Sequence, residues 1–480
     1  MFSAKSMGVS RRGLLRSAAV TTVAAPALSN FNAAPASAEQ VDSNTLAGSR
    51  VTFSIIERNR RWAAVRSVMA SPKWNLDAIV AGSPVVDAGG DQLPVGFDRY
   101  LAQLGGAEDP GAFGPVVFPR DASQSVQVIL NDGGSIPFWN ARGLNQWTAD
   151  GSLVLTSGDA VTGVASRLSA LGAKRVGVAE LAGTRYNPLG TVPWGYFEAL
   201  QAALPQVAFM PIERWEVNPA DPGPLQAAAM VKGIEEQQVI RTCVRATEIG
   251  IQALIKAVQQ GAATQAEMWY PGYFAMLAET GETPVRLSIG LDVAANSRYG
   301  SPTADHVSEG QIVSQEISAK VQGYGAQINH SFFIGNSRTP GYQYYAAAAT
   351  VAIQAILDAI EFINKNPGAM TGDLVRDYVA KAQARGAVAP SGVVMLSSGV
   401  GALSRPRIGP SQLGTGQDDN IKIVPGMAFD FKSSITLQRD ILQDVGPQNR
   451  AVQVGENIIV TEHGAVRAGT RSLVPLRTKG

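Results

Sequence analysis

"QEISAKVQGYGAQINHSFFIG", Gln315 to Gly335, reads as strand sequence that carries a carboxylate near its start, Glu316, and an amide, Gln327, eleven residues later. Strands and helices alternate on both sides of it. The strand "TPVRLSIGL" precedes it; the helix "YYAAAATVAIQAILDAIEFINKN" and the segment "DLVRDYVAKAQARG" follow, and then the strand "GMAFDFKSSI". Near the end, "AVQVGENIIVTEHGAVRAG" reads as a hairpin with His463-Gly464 at its turn.

Upstream, "LQAAAMVKGIEEQQVIRTCVRATEIGIQALIKAVQQGAATQAEM" keeps helical spacing almost unbroken and predicts a long helix, a Gly turn and a second helix start. The aperiodic Pro/Gly/Asp cluster "VNPADPGP", Val217 to Pro224, separates it from an earlier α/β pattern and reads as a linker. In that earlier part, Ile55, Trp62, Val65 and Met69 share one face of a basic helix. The strands "LDAIVAG", "GPVVFP", "SVQVILND" and "RVGVAEL" follow, with the helix "AVTGVASRLSALGA" before the last. Two domains are expected, 45–216 and 225–480, and a chain of 480 residues with 45% apolar composition is long enough to bury both cores.

A net charge of +1, with no basic stripe interleaved with aromatics, argues against nucleic acid as a partner. Cys243 stands alone, which excludes intramolecular disulfides and the usual thiolate metal sites. At the N-terminus, "SRRGLLR" (Ser10 to Arg16) precedes an apolar run too short and too weakly hydrophobic to span a membrane, and Ala36-Ser37-Ala38 offers small residues for cleavage. The segment 1–38 resembles a twin-arginine signal peptide. It implies a bacterial protein handed folded to the twin-arginine export machinery, periplasmic or secreted, with no membrane span after cleavage.

From about Leu225 onward the order of landmarks resembles the pita-bread superfamily of creatinase, prolidase and aminopeptidase P. These landmarks are "MVKGIEEQQVIR", "EGQIVSQEISAKVQGYGAQINHSFFIG", "SSGVGALSRPRI", "PGMAFDFK" and "VGENIIVTEHG". Residues from about 50 to 216 resemble the N-terminal domain of the creatinase/prolidase branch. The resemblance implies an α/β N-terminal domain, an α+β pita-bread domain and a homodimer.

Metallo-members of that superfamily hold two dications with two Asp, one His and two Glu. Carried over position by position, these fall on Glu316, Gln327, Ser398, Lys432 and Gly455, the last beside Glu456. An amine where a carboxylate bridged two dications repels them by several kcal/mol, so no metal and no cofactor is expected. Lys432 and Glu316 then either pair with each other, in place of the cluster, or reach solvent separately. Creatinase works without metal, yet its proton-shuttling His falls on Tyr299 and its two substrate carboxylates on Asn329 and Lys432, which makes creatine a poor guess.

Several candidates carry two readings each. His330 is either a group of the site or a hydrogen-bonded core histidine; His306 reads as a surface residue and His463 as a turn residue. Tyr299 and Tyr324 either transfer protons beside Lys432 or pack over the sheet. Arg405 and Arg407 in "SRPRIG" form a carboxylate clamp or a polar turn. Ser397 and Ser398 have no activating base beside them in sequence. The Trp/Tyr/Arg-rich "FWNARGLNQW" and "RYNPLGTVPWGYF" either cap a partner subunit's site or pack internally.

The expectation is therefore a metal-independent hydrolase or lyase acting on a small polar molecule at a C–N bond. Tyr299, Glu316, His330 and Lys432 would share the acid/base work, and Tyr324, Gln327, Asn329, Ser398, Arg405 and Arg407 would hold the substrate. One alternative is a non-catalytic binding protein for a small molecule or peptide. The other is a metallopeptidase with shuffled ligands, which needs Glu316, Asp430, Glu456 and a histidine to converge.

Overall fold

The computed structural model describes residues 53–82, 97–103, 114–130, 146–179, 181, 192–213, 222–293, 300–388, 390, 392–400, 405–416, 418–438 and 450–479. Residues 1–43 and 44–480 separate into two units, and the described residues all belong to the second. The signal segment, most of the expected linker, most of "FWNARGLNQW" and Tyr299 lie outside the described residues.

The earlier part builds a six-stranded mixed sheet from β1 (Ala78–Ala81), β2 (Val116–Pro119), β3 (Val126–Leu130), β4 (Leu153–Ser157), β5 (Arg175–Ala179) and β6 (Ala208–Ile212), in the order β4-β3-β2-β1-β5-β6. Strand alternation divides its side chains between two layers. Ala78 and Val80 face the helices Ala160–Ala170 and Trp194–Ala203 through Val164, Leu168 and Leu200, whereas Ile79 and Ala81 join the core of Trp62, Val65 and Met69. Those three residues belong to the helix Ile55–Met69, whose N-cap Ser54 accepts from the Glu57 amide. Trp147 is buried, its indole N–H donating to the Phe53 carbonyl at 2.7 Å, so it packs internally; Trp194 is exposed.

The later part carries an eleven-stranded sheet. The strands that matter for the site are β8 (Ile312–Val321), β9 (Tyr324–His330), β14 (Ala428–Ile435) and β15 (Val452–Thr461), preceded by β7 (Arg286–Leu291) and joined by β10 (Phe332–Phe333), β11 (Met395–Ser397), β12 (Gly399–Val400), β13 (Arg407–Ile408), β16 (Gly464–Arg467) and β17 (Leu476–Arg477). The stretch from Gln315 to Gly335 folds back on itself. Gln322 and Gly323 both take positive φ, and β8 pairs antiparallel with β9 from Ile317–Ile328 to Val321–Tyr324. The β15–β16 hairpin closes at Thr461–Gly464, with Gly464 at φ 118.

One face of this sheet is covered by helices. Ile317, Ala326 and Ile328 meet Ile240, Val244 and Ile251 of the helix Ile234–Gln259, and Phe429, Phe431 and Ile458 meet Ala352, Ile356 and Tyr378 of the helices Tyr342–Lys365 and Thr371–Ala384. The helix Tyr342–Lys365 is long and apolar enough to cross a membrane, but its Ala348, Ala352, Ile356 and Ala359 are spent on this core. The other face, the inner one, carries polar side chains.

Candidate functional site

Register decides which residues share the inner face. Side chains at paired positions of antiparallel strands lie on one side, and every second residue returns to that side. Ser318 pairs with Gln327, Gly455 with Asn329 and with Lys432, and Asn457 with Asp430. Glu316, Gln327, Asn329, Asp430, Lys432, Gly455 and Asn457 therefore form a single polar patch across four strands.

Glu316 and Lys432 meet at its centre, Lys432 Nζ donating to Glu316 Oε1 at 2.6 Å, with both side chains nearly buried. Of the two arrangements left open by the sequence, the direct pair is the one formed. Around it the amides are tied in place. Asn329 Nδ2 donates to the Gln315 carbonyl at 2.7 Å and to Gln453 Oε1 at 2.9 Å, while Gln327 Nε2 donates to Asn329 Oδ1 at 3.3 Å. Asn457 Nδ2 donates to the Gln327 carbonyl at 2.5 Å and its Oδ1 accepts from Ser398 Oγ, which links Ser398 to the patch.

Four candidates need correction. His330 follows Asn329 and so points to the opposite, helix-covered face. There Arg471 Nε donates to His330 Nδ1 at 3.1 Å, which leaves Nε2–H to donate to the Val474 carbonyl at 3.0 Å. Burial first, then Arg471, push its pKa down to about 3, so it is a neutral core histidine. Tyr324 also lies on the outer side, close to the Phe53 ring, and its hydroxyl donates to Glu236 Oε1 at 2.6 Å. Burial holds its phenol well above the ordinary range, opposite to the lowered value that proton transfer beside Lys432 would need.

Arg405 binds a carboxylate of the chain itself, with help from the backbone amide of Arg407. Arg405 pairs with Asp418 at 3.3 Å, and the Arg407 amide donates to the same Asp418 at 2.8 Å. Arg405 is fully buried in that role. Glu456 also faces outward, where Arg467 and Arg471 hold Oε2 at 2.9 Å each, so it does not converge with Glu316 and Asp430. His306 and His463 are exposed.

Two features escaped the sequence reading. Lys232 Nζ donates to Ser397 Oγ at 3.0 Å, and burial pushes the amine down to about 8. Ser397 pairs with Phe429 and so faces away from the patch, where the contact fastens the start of the helix Ile234–Gln259 to the end of β11. The landmark "MVKGIEEQQVIR" contains the lysine, but 165 residues separate it from the serine. The second feature is the state of Asp430, which the sequence offered only as one ligand of a shuffled metal set: among the described residues neither of its buried carboxyl oxygens has a hydrogen-bond partner, and burial raises its pKa well above the carboxylate range.

No family model and no curated protein sequence matches this chain. Solved structures do. An X-Pro aminopeptidase from Thermotoga maritima superposes with TM-score 0.61 at 15% identity, covering 84% of this chain and 98% of that one. The prolidase from Pyrococcus horikoshii gives TM-score 0.61 at 16% identity, with 87% and 100% covered. The N-terminal domain of the FACT complex subunit SPT16 from Cicer arietinum gives 0.57 at 11% identity, with 88% and 97% covered. At such identities the likeness is one of architecture, and by architecture the chain is an α/β domain of the creatinase/prolidase N-terminal kind followed by an α+β pita-bread domain.

Proposed function

We propose that this chain is a metal-independent hydrolase or lyase that cleaves a C–N bond of a small polar molecule on the inner face of the second sheet. The observation that carries the reading is the Lys432–Glu316 pair at 2.6 Å. The residues at the five inherited positions, Glu316, Gln327, Ser398, Lys432 and Gly455, do not fit two dications. Their one carboxylate is engaged by an ammonium, Gly455 offers no side chain, and the amide and hydroxyl are neutral donors that hard cations bind weakly on their own. Among the described residues no group of three or more His, Cys, Asp or Glu converges.

In this reading Lys432 and Glu316 orient and polarise the substrate, and Gln327, Asn329 and Ser398 frame it with hydrogen bonds. The prolidase and aminopeptidase neighbours make an amide-like C–N bond the first target, an argument from fold. The test is elemental analysis of protein purified without chelator, with turnover of amide and amidine compounds measured with and without added manganese, zinc or cobalt. Turnover without bound metal supports the reading; two bound metals per chain and metal-dependent turnover sink it.

A second reading is a binding protein that kept the site without the chemistry. It draws on the structural neighbour described as a complex subunit rather than a peptidase. Ligand capture without turnover would select it. We also propose export in folded form, guided by Arg11 and Arg12 of "SRRGLLR", and a homodimeric state. Retention in the cytoplasm on replacing both arginines by lysine, and sedimentation at twice the chain mass, check the two.

A further inference from the structure

Buried carboxylates are costly unless something donates to them. Among the described residues the rule is followed almost throughout. Glu213 receives the amides of Leu225 and Gln226, Glu236 receives Gly233 N–H and the Tyr324 hydroxyl, and Glu248 receives the amides of Thr470 and Arg471. Asp418 has Arg405 and the Arg407 amide, and Glu456 has Arg467 and Arg471. Asp430 breaks the rule on both oxygens, at 1% exposure.

Its position is not incidental. Asp430 lies two residues from Lys432 on β14, on the face that carries Glu316, and the Lys432 amine is already committed to Glu316. A Cβ built on Gly455 would lie 2.8 Å from Asp430 Oδ1 and 2.9 Å from Asn329 Oδ1. The missing side chain at 455 therefore leaves the space that the Asp430 carboxyl and the Asn329 side-chain amide both approach. Burial dominates in favour of the neutral acid, and the charged groups around it are mixed in sign: Lys432 and Arg471 favour the carboxylate, Glu316 and Glu456 oppose it.

We propose that Asp430 is the proton donor of this site, a carboxylic acid left without an internal partner so that its O–H meets the leaving nitrogen of the substrate. The assignment rests on the C–N cleavage reading above. As the C–N bond breaks, its electron pair passes to nitrogen, which takes the Asp430 proton; water adds hydroxide to carbon and returns its remaining proton to the Asp430 carboxylate. The fitting substrate nitrogen is uncharged, of amide or urea type, because a protonated amine has no lone pair for the donated proton and would favour the ionised acid instead.

The test compares the full chain with Asp430→Asn, which keeps the shape, and with Asp430→Ala in case the amide itself disturbs folding. Infrared difference spectra at pH 7 should show a protonated carboxylic acid band in the parent that both variants lack, and Asp430→Asn should melt at the same or a higher temperature. On an amide substrate Asp430→Asn should lose about 100-fold or more in kcat with little change in KM. Absence of the band, or an Asp430→Asn variant that melts well below the parent, makes Asp430 an ionised structural residue and overturns the proposal. A band with undiminished kcat in the variant removes the proton-donor role while leaving the C–N reading standing. A band without turnover of any C–N compound by the parent removes both.

Discussion

The two faces of the second sheet hold clusters of similar composition and opposite character. On the helix-covered face, Glu248, Glu456, His330, Arg467 and Arg471 form a network in which Arg471 alone touches His330, Glu456 and the Gly455 carbonyl. On the inner face, Glu316, Lys432 and Asp430 share the space with amides, and one acid is left unsatisfied. The outer cluster is satisfied within the fold, whereas among the described residues the inner one leaves the Asp430 carboxyl without a donor. Polar groups that only hold a fold find their partners within it, and those kept for a ligand do not.

The largest expected effect comes from breaking the outer cluster. Arg471→Met leaves Glu456 short of a donor and His330 without its Nδ1 partner, and should cost about 3–5 kcal/mol in denaturant unfolding. A loss below about 1 kcal/mol would mean that Arg467 suffices and that the cluster is less structural than its geometry suggests. Lys432→Met strands Glu316 on the inner face and should cost somewhat less, about 3 kcal/mol, because both groups retain slight exposure. Adding Glu316→Gln should recover most of that loss; failure to recover would show that the pair's worth lies in packing rather than charge.

His330 gives a smaller effect with a defined sign. Its folded pKa of about 3 lies below the value near 6.5 of an unfolded histidine, so the unfolded chain takes up a proton first as the medium is acidified. Stability held above about pH 6.5 is lost toward pH 3. Between about pH 7 and 5 the parent should lose about 2 kcal/mol more than His330→Gln; parallel stability curves would place the histidine in water. Asp430 titrates the other way. Its folded pKa is raised, so stability falls as pH rises above about 4, the unfolded value, and Asp430→Asn should be more stable than the parent at about pH 7 and no more stable near pH 3. A variant that loses stability at both would equate the two faces.

Most of the elements are legible in the sequence. The helical face of Trp62, Val65 and Met69, the Gly464 turn and the succession of strands all follow from local periodicity and turn chemistry, which neighbouring residues alone determine. The pairing of Glu316 with Lys432 was one of two arrangements the residues allowed, since a lysine amine needs either an acid nearby or solvent. His330 and Tyr324, expected in the site, point away from it because odd and even positions of a strand face opposite sides, so their register against the neighbouring strands decides their direction. Arg405 was misjudged because its partner Asp418 lies beyond a turn with no periodic signal.

By itself, then, the sequence determined where strands and helices run and which apolar faces they bury, because each of these depends on residue type and spacing. Tertiary structure alone decided which polar groups end with a partner. Hydrogen-bond satisfaction depends on register between strands that lie far apart in the chain, 116 residues for Glu316 and Lys432, and on the space that a single missing side chain at Gly455 leaves for Asp430.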